Sequence, residues 1–209
     1  MAFDGITIAA MVSELNKNLS GGRINKIAQP ESDELLITGK GANGQKRLLL
    51  SASASLPLIY FTGKNRISPL TAPNFCMLLR KHIGSARITA IRQPGLERVV
   101  EFELEHLNEL GDVCHKVLIM ELMGKHSNII FCDDNNMILD SIKHVSCNVS
   151  SVREVLPGRP YFIPHTQDKL DPLTISREDF MEKVCGRSNA VSKALYQTLT
   201  GFSPVMAQE

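Results

Sequence analysis

The sequence predicts an α+β fold, an antiparallel β-sandwich with flanking helices, followed by an incomplete all-α segment. Three observations carry this. Short apolar runs recur between residues 23 and 143, separated by Gly, Pro, Asn and Ser, as in an antiparallel meander. Helical spacing appears in that half only at residues 5–20 and 72–83. Beyond residue 155 prolines cluster and the pattern turns helical. Roughly eight or nine strands with two helices before residue 150 suit a two-layer sandwich.

Each element has its own signal. In residues 5–20, Ile8, Met11, Val12, Leu15 and Leu19 form one apolar stripe; Asp4 suits the N-cap and "SGG" stops the run. Four strand-like runs follow: "RINKIAQ", "ELLITGK", "KRLLLSAS" and "LPLIYFT". The helix at 72–83 has Thr71 and Pro73 at its start, Arg80, Lys81 and His82 at its negative end, and Gly84 as its stop. "SARITAIR", "QPGL" and "ERVVEFELEH" read as strand, Pro-Gly turn and strand. In the second of these strands Arg98, Val100, Phe102 and Leu104 share one face; Glu97, Val99, Glu101, Glu103 and Glu105 share the other, which is expected to be solvated.

"DVCHKVLIMELMG" is apolar on both faces from Val117, as in a central strand, and "SNIIFCD", "DNN" and "MILDSIK" form a further hairpin. Residues 155–172, with Pro157, Pro160, Pro164 and Pro172, are expected to be an extended connector closing a first domain over 1–172. Residues 173–209 then begin a second, helical domain. Ser176 caps "SREDFMEKVC", "NAVSKALYQTL" forms another short helix, and Ser203 with Pro204 opens a third inside which the sequence ends.

Composition narrows the function. With 209 residues, 43% apolar and 22% charged, the chain has the make-up of a folded globular protein. A net charge of +1 excludes binding nucleic acid by bulk charge, so any polyanion needs a local patch. No signal peptide or run of roughly 20 apolar residues is present, so a cytoplasmic location is expected. Cys76, Cys114, Cys132, Cys147 and Cys185 form no CxxC pair, which favours reduced core thiols over zinc or disulfides. His82, His106, His115, His126, His144 and His165 show no metal-binding spacing. "MGKHSN" and "GGRINK" lack the glycine and hydroxyl positions of a phosphate loop, and no GxSxG motif is present. No catalytic constellation, metal or cofactor is expected.

The stretch "MELMGKHSNII" is the exception to an ordinary core. Glu121 shares a strand face with Val117, Ile119 and Met123, so its carboxylate must find a partner. An ion pair with a neighbouring Lys or Arg is slightly favoured; a cluster of Glu121, Lys125 and His126 facing a phosphate or nucleotide is the alternative. Asp4 reads first as a helix cap and Arg98 as an exposed strand end.

Taken together, "MAFDG", "QPGLERVVEF", "ELMGKHSNII" and "LPGRPYFIPHTQDKLDPL" resemble the NFACT family, bacterial ribosome quality-control factors also known as fibronectin/fibrinogen-binding proteins. The resemblance covers the N-terminal NFACT domain and the start of a helix–hairpin–helix domain. It implies binding to tRNA and to a large ribosomal subunit carrying peptidyl-tRNA. It also implies recruitment of alanyl-tRNA for C-terminal alanine tailing, with bond formation left to the ribosome. By position it implies tRNA contacts at Asp4, Glu97, Arg98, Glu121, Lys125 and His126; the family often has Asp-Arg where this sequence has Glu97-Arg98. The fold is also similar to the N-terminal sandwich of formamidopyrimidine-type DNA glycosylases. Ala2 stands where their nucleophilic proline would be, and no glutamate follows it, which argues against that activity. A fibronectin-binding adhesin is the principal rival function.

Overall fold

The computed structural model describes residues 3–164 and 168–209. Ala2 and His165 therefore lie outside the described residues. Nine strands form one continuous antiparallel sheet rather than two separate sheets: β1 (Arg23–Ala28), β2 (Glu34–Gly41), β3 (Gly44–Ser51), β4 (Leu58–Phe61), β5 (Arg87–Arg92), β6 (Val99–Leu107), β7 (Val113–Glu121), β8 (Asn128–Asp133) and β9 (Ile138–Ser141). Their order is β4-β3-β2-β1-β5-β6-β7-β8-β9, so every neighbour is a sequence neighbour except at one seam. There β1 meets β5 through a single registered pair, Arg23 with Arg87, because α2 (Asn74–Ile83) interrupts the meander.

That seam lets the two halves share one core. Leu35, Leu48 and Leu50 from one half pack in the same cluster as Phe102, Leu118 and Phe131 from the other, with Ile8 and Leu15 of α1 (Gly5–Leu19) and Leu79 of α2. Lys143 ties the halves at one end, donating to the carbonyls of Ala52 and Ser127. Burial of these branched side chains, each stabilising by roughly 1.5–3 kcal/mol, fixes the arrangement.

A second, smaller cluster lies on a different face of the sheet. Val99, Ile119, Ile130 and Cys132 are covered there by Val155, Tyr161 and Ile163. The stretch expected as an extended connector is thus laid onto the sheet, with Val155 bridging Val145 and Pro160 bridging Met137. The expectation that the Glu97–Glu105 face is solvated fails for the same reason. Glu101 is half-buried, and burial, with the charge of Glu103 adding, raises its carboxyl pKa against the pull of Arg92.

Of the cysteines, Cys76 and Cys132 are core thiols, burial pushing Cys132 up to about 12, whereas Cys147 and Cys185 are exposed. The C-terminal part forms α3 (Arg177–Phe180), continued by a wider π-helical turn at Met181–Cys185, and α4 (Val191–Thr198). Val184, Ala194 and Leu199 give it a small apolar cluster of its own. The third helix expected from Ser203 is only a capped turn, in which Ser203 Oγ accepts from the Met206 amide at 3.2 Å.

Candidate functional site

The site is built where three distant segments meet. Asp4 caps α1 as expected, its Oδ1 accepting from the Thr7 amide at 2.8 Å. Its other oxygen accepts from Ser203 Oγ at 2.6 Å, so one carboxylate ties the first helix to the capped turn 199 residues later. Beside it, the Gly5 amide donates to the Gly201 carbonyl at 3.0 Å. A Cβ on Gly5 would stand 2.0 Å from the Leu96 carbonyl oxygen, so this joint closes only around glycine. The third segment is the loop after β5, held by Gln93, whose amide donates to the carbonyls of Gly5 and Glu97, each at 2.8 Å.

This bracing corrects the strand boundary drawn from sequence. The last β5–β6 rung is Arg92 with Glu101, and β6 itself begins at Val99. Glu97 and Arg98 precede the strand: the Glu97 amide donates back to Pro94, and the Gln93 side chain takes its carbonyl. Arg98 keeps one sheet-like bond, its carbonyl accepting from Leu122 at 2.9 Å. Its guanidinium is exposed, and Glu97 is half-exposed. Among the described residues neither side chain forms a hydrogen bond or ion pair through its charged group. The backbone of the pair is fixed while its charged groups face solvent, where a ligand can reach them.

Asp4, Glu97 and Arg98 line a common groove of about 790 Å³, with apolar walls that include Phe3, Leu96 and Phe202. Burial pushes the Asp4 carboxyl up, but the hydrogen bonds from Ser203 and Thr7 outweigh it and hold the pKa below the ordinary value. Lys169 also lines the groove; it lies in the stretch "QDKLDP" that helped carry the family resemblance, although it was not among the expected site residues.

The other three expected residues separate. Glu121 is fully buried at the end of β7; Arg153 Nη2 donates to its Oε1 at 2.6 Å, and Tyr161 Oη donates to the same oxygen at 3.0 Å. The Arg153 guanidinium also lies 5.5 Å from the Tyr161 ring centroid. Burial, reinforced by the Glu121 charge, raises the Tyr161 hydroxyl pKa, so the hydroxyl stays a donor. The ion pair slightly favoured from the sequence is present, with Arg153 of the overlying segment as the partner, and Glu121 is not in the groove lining with Asp4, Glu97 and Arg98. Lys125 and His126 instead sit exposed on a single turn, Gly124–His126, with Gly124 at φ +59° and open space around it. Met123, just before that turn, lines the groove, so Lys125 and His126 stand near its rim without reaching Glu121.

Among the described residues, no group of three or more His, Cys, Asp or Glu is placed to hold a metal ion. No helix there is long and apolar enough to cross a membrane.

A mostly apolar groove, lipped by Glu97 and Arg98 and braced by a glycine joint, marks the candidate site of an α+β sheet protein. The chain belongs to the NFACT family, whose N-terminal and middle domains match residues 4–209. It is 41% identical to the Rqc2 homolog RqcH of Bacillus subtilis, covering 100% of this chain and 37% of that protein. It is 26% identical to the human ribosome quality control complex subunit NEMF over 84% of this chain and 15% of that protein. The chain thus spans less than two-fifths of the bacterial relatives it matches. Its fold is that of the N-terminal domain of the fibronectin-binding protein PavA from Streptococcus pneumoniae, with a TM-score of 0.90, 36% identity and coverage of 99% of this chain and 77% of that one. The N-terminal part of the fibronectin/fibrinogen-binding protein of Streptococcus suis superposes with a TM-score of 0.91 at 37% identity, covering 100% and 78%.

Proposed function

We propose that this chain is the tRNA- and large-subunit-binding part of a ribosome quality-control factor, acting on stalled subunits that retain peptidyl-tRNA. In this reading it recruits alanyl-tRNA for C-terminal alanine tailing and leaves peptide-bond formation to the ribosome, so it is a binding factor in the cytoplasm and not an enzyme. The observation that carries the reading is the Glu97–Arg98 pair, fixed in backbone and, among the described residues, free in side chain at the mouth of a mostly apolar groove. A guanidinium plane stacks on an unpaired base, a neighbouring carboxylate accepts from a base edge, and apolar walls shelter both contacts. Membership of the NFACT family, with RqcH and NEMF among its relatives, supports the same partner class.

Because the chain carries only +1 net charge, affinity for tRNA should be modest and strongly salt-dependent, falling by ~0.9 in log–log slope for each duplex-like phosphate neutralised. Titration of deacylated tRNA from low to high salt tests this; an affinity constant across the series contradicts it. The adhesin reading has its own support in the two fibronectin-binding structures that share the fold. A side-by-side pull-down of tRNA and fibronectin separates the two, and capture of fibronectin alone would overturn the RNA reading.

A further inference from the structure

We infer that Lys169 is a phosphate-binding residue of the groove, placed so that one RNA backbone phosphate lies between its ammonium and the Arg98 guanidinium. The inference rests on the tRNA reading and sharpens it. Lys169 lines the same groove as Glu97 and Arg98 but arrives from the far end of the chain. Its backbone is anchored: the Leu170 amide donates to the Thr198 carbonyl at 2.8 Å, and the Thr200 amide returns to the Leu170 carbonyl at 2.9 Å. Nζ donates to the Tyr196 carbonyl in the last turn of α4 at 2.7 Å. An ammonium has three N–H donors, so one such bond orients the head and leaves the others for a ligand.

Two cations, Arg98 and Lys169, thus share one groove wall, with Glu97 and Asp4 as the acids of the same lining. Asp4 keeps its charge, but its two oxygens are already taken by the Thr7 amide and Ser203 Oγ, so it gives neither cation a direct pair. Burial and the Arg98 charge pull the Lys169 pKa down, with Glu97 opposing, so the two cations feel each other in the free protein. A phosphate between them removes that repulsion, and the protein's near-zero net charge gives no other reason to concentrate cations here.

A purely structural staple on Tyr196 would look alike in geometry, so the test must read charge. Lys169→Gln removes the cation and keeps an N–H donor, one atom shorter, facing the Tyr196 carbonyl; Lys169→Arg keeps the cation. The affinity of each variant and of the parent chain for deacylated tRNA is measured over a salt series, with thermal melting alongside. We expect Lys169→Gln to bind more weakly and to lose about 0.7–0.9 of the log–log salt slope, the share of one phosphate. Lys169→Arg should keep the parental slope, and neither should shift melting. A parental slope in Lys169→Gln overturns the assignment while leaving the tRNA reading intact, whether or not affinity falls through a lower melting temperature. If the parent chain itself fails to bind tRNA, the functional reading falls and this site with it.

Discussion

Two acids stand near one rung of the sheet and meet opposite fates. Glu121 pairs with Val99 across β7 and β6, and Glu97 lies two residues before Val99 on the entering loop. Period-two alternation puts Glu121 on the side of the sheet where Val99, Ile119 and Ile130 form the second cluster, whereas Glu97, ahead of the strand, lies on the groove wall. The segment carrying Arg153 and Tyr161 covers Glu121, whereas Glu97 is half-exposed. One carboxylate therefore becomes part of the interior, held by a guanidinium and a phenol, and the other is left half-exposed beside an exposed arginine. The role of a charged residue at a strand end is decided by what lies over it, not by its position on the strand.

The largest effect should come from breaking the covered member. Glu121→Ala strands the Arg153 side chain, itself 10% exposed, leaving its guanidinium with only the Phe162 carbonyl as an acceptor among the described residues. Removing one partner of a buried pair costs about 3–5 kcal/mol. Denaturant unfolding should show that loss, and tRNA affinity measured well below the melting transition should stay within a few-fold of the parent. Unchanged stability together with lost tRNA binding would invert the comparison and return Glu121 to the ligand.

The open member should respond in the opposite way. Glu97→Ala/Arg98→Ala removes two side chains that fill no cavity, so stability should move by only about ±0.5 kcal/mol. Base-edge and stacking contacts contribute roughly 1–3 kcal/mol apiece, so tRNA affinity should fall by about tenfold to several hundredfold. Arg98→Lys should be nearly as damaging, because an ammonium supplies charge without the plane. Recovery of tRNA from cells by the double variant at parental levels would move the binding surface away from this loop.

Much of this contrast was legible in the sequence, and the missing parts share a cause. All nine strands and both large helices follow from alternation, helical spacing and turn residues, because those signals are local. The need of Glu121 for a partner was legible too, from its apolar face-mates. The identity of the partner was not, since Arg153 comes from an irregular segment 32 residues away that pairs with the sheet only through isolated bridges. The start of β6 was misplaced because the Gln93 side chain, rather than a strand, satisfies the Glu97 carbonyl. The place of Lys169 on the groove, inside a motif that was itself noticed, and the Asp4–Ser203 contact were missed for the same reason: no periodicity links residues that meet only after the chain has closed on itself.

The smallest effect tests whether Asp4 belongs with the open site or with the covered one. Its carboxylate is 8% exposed, and both oxygens have protein donors, which places it closer to Glu121 than to Glu97. Asp4 then serves the groove by holding the 201–206 turn against α1, and Ser203→Ala should reproduce part of the loss seen in Asp4→Ala. A helix cap contributes ~1 kcal/mol, so Asp4→Ala should lower stability by about that amount and Ser203→Ala by somewhat less. The pH dependence gives the sign. The folded-state pKa of Asp4 is held below its unfolded value by Ser203 and Thr7 against burial, so its contribution is complete above the unfolded value and is lost as pH falls through the folded one. The parent should therefore lose stability on acidification below about pH 4, and Ser203→Ala should lose less over that interval, because it has already given up one of the bonds that favour the carboxylate. Ser203→Thr, which keeps the hydroxyl, should restore the parental acid limb. An acid limb in Ser203→Ala superimposable on the parent's would show that the bond across the two ends of the chain contributes nothing to the fold, and Asp4 would return to the list of residues free to meet the ligand.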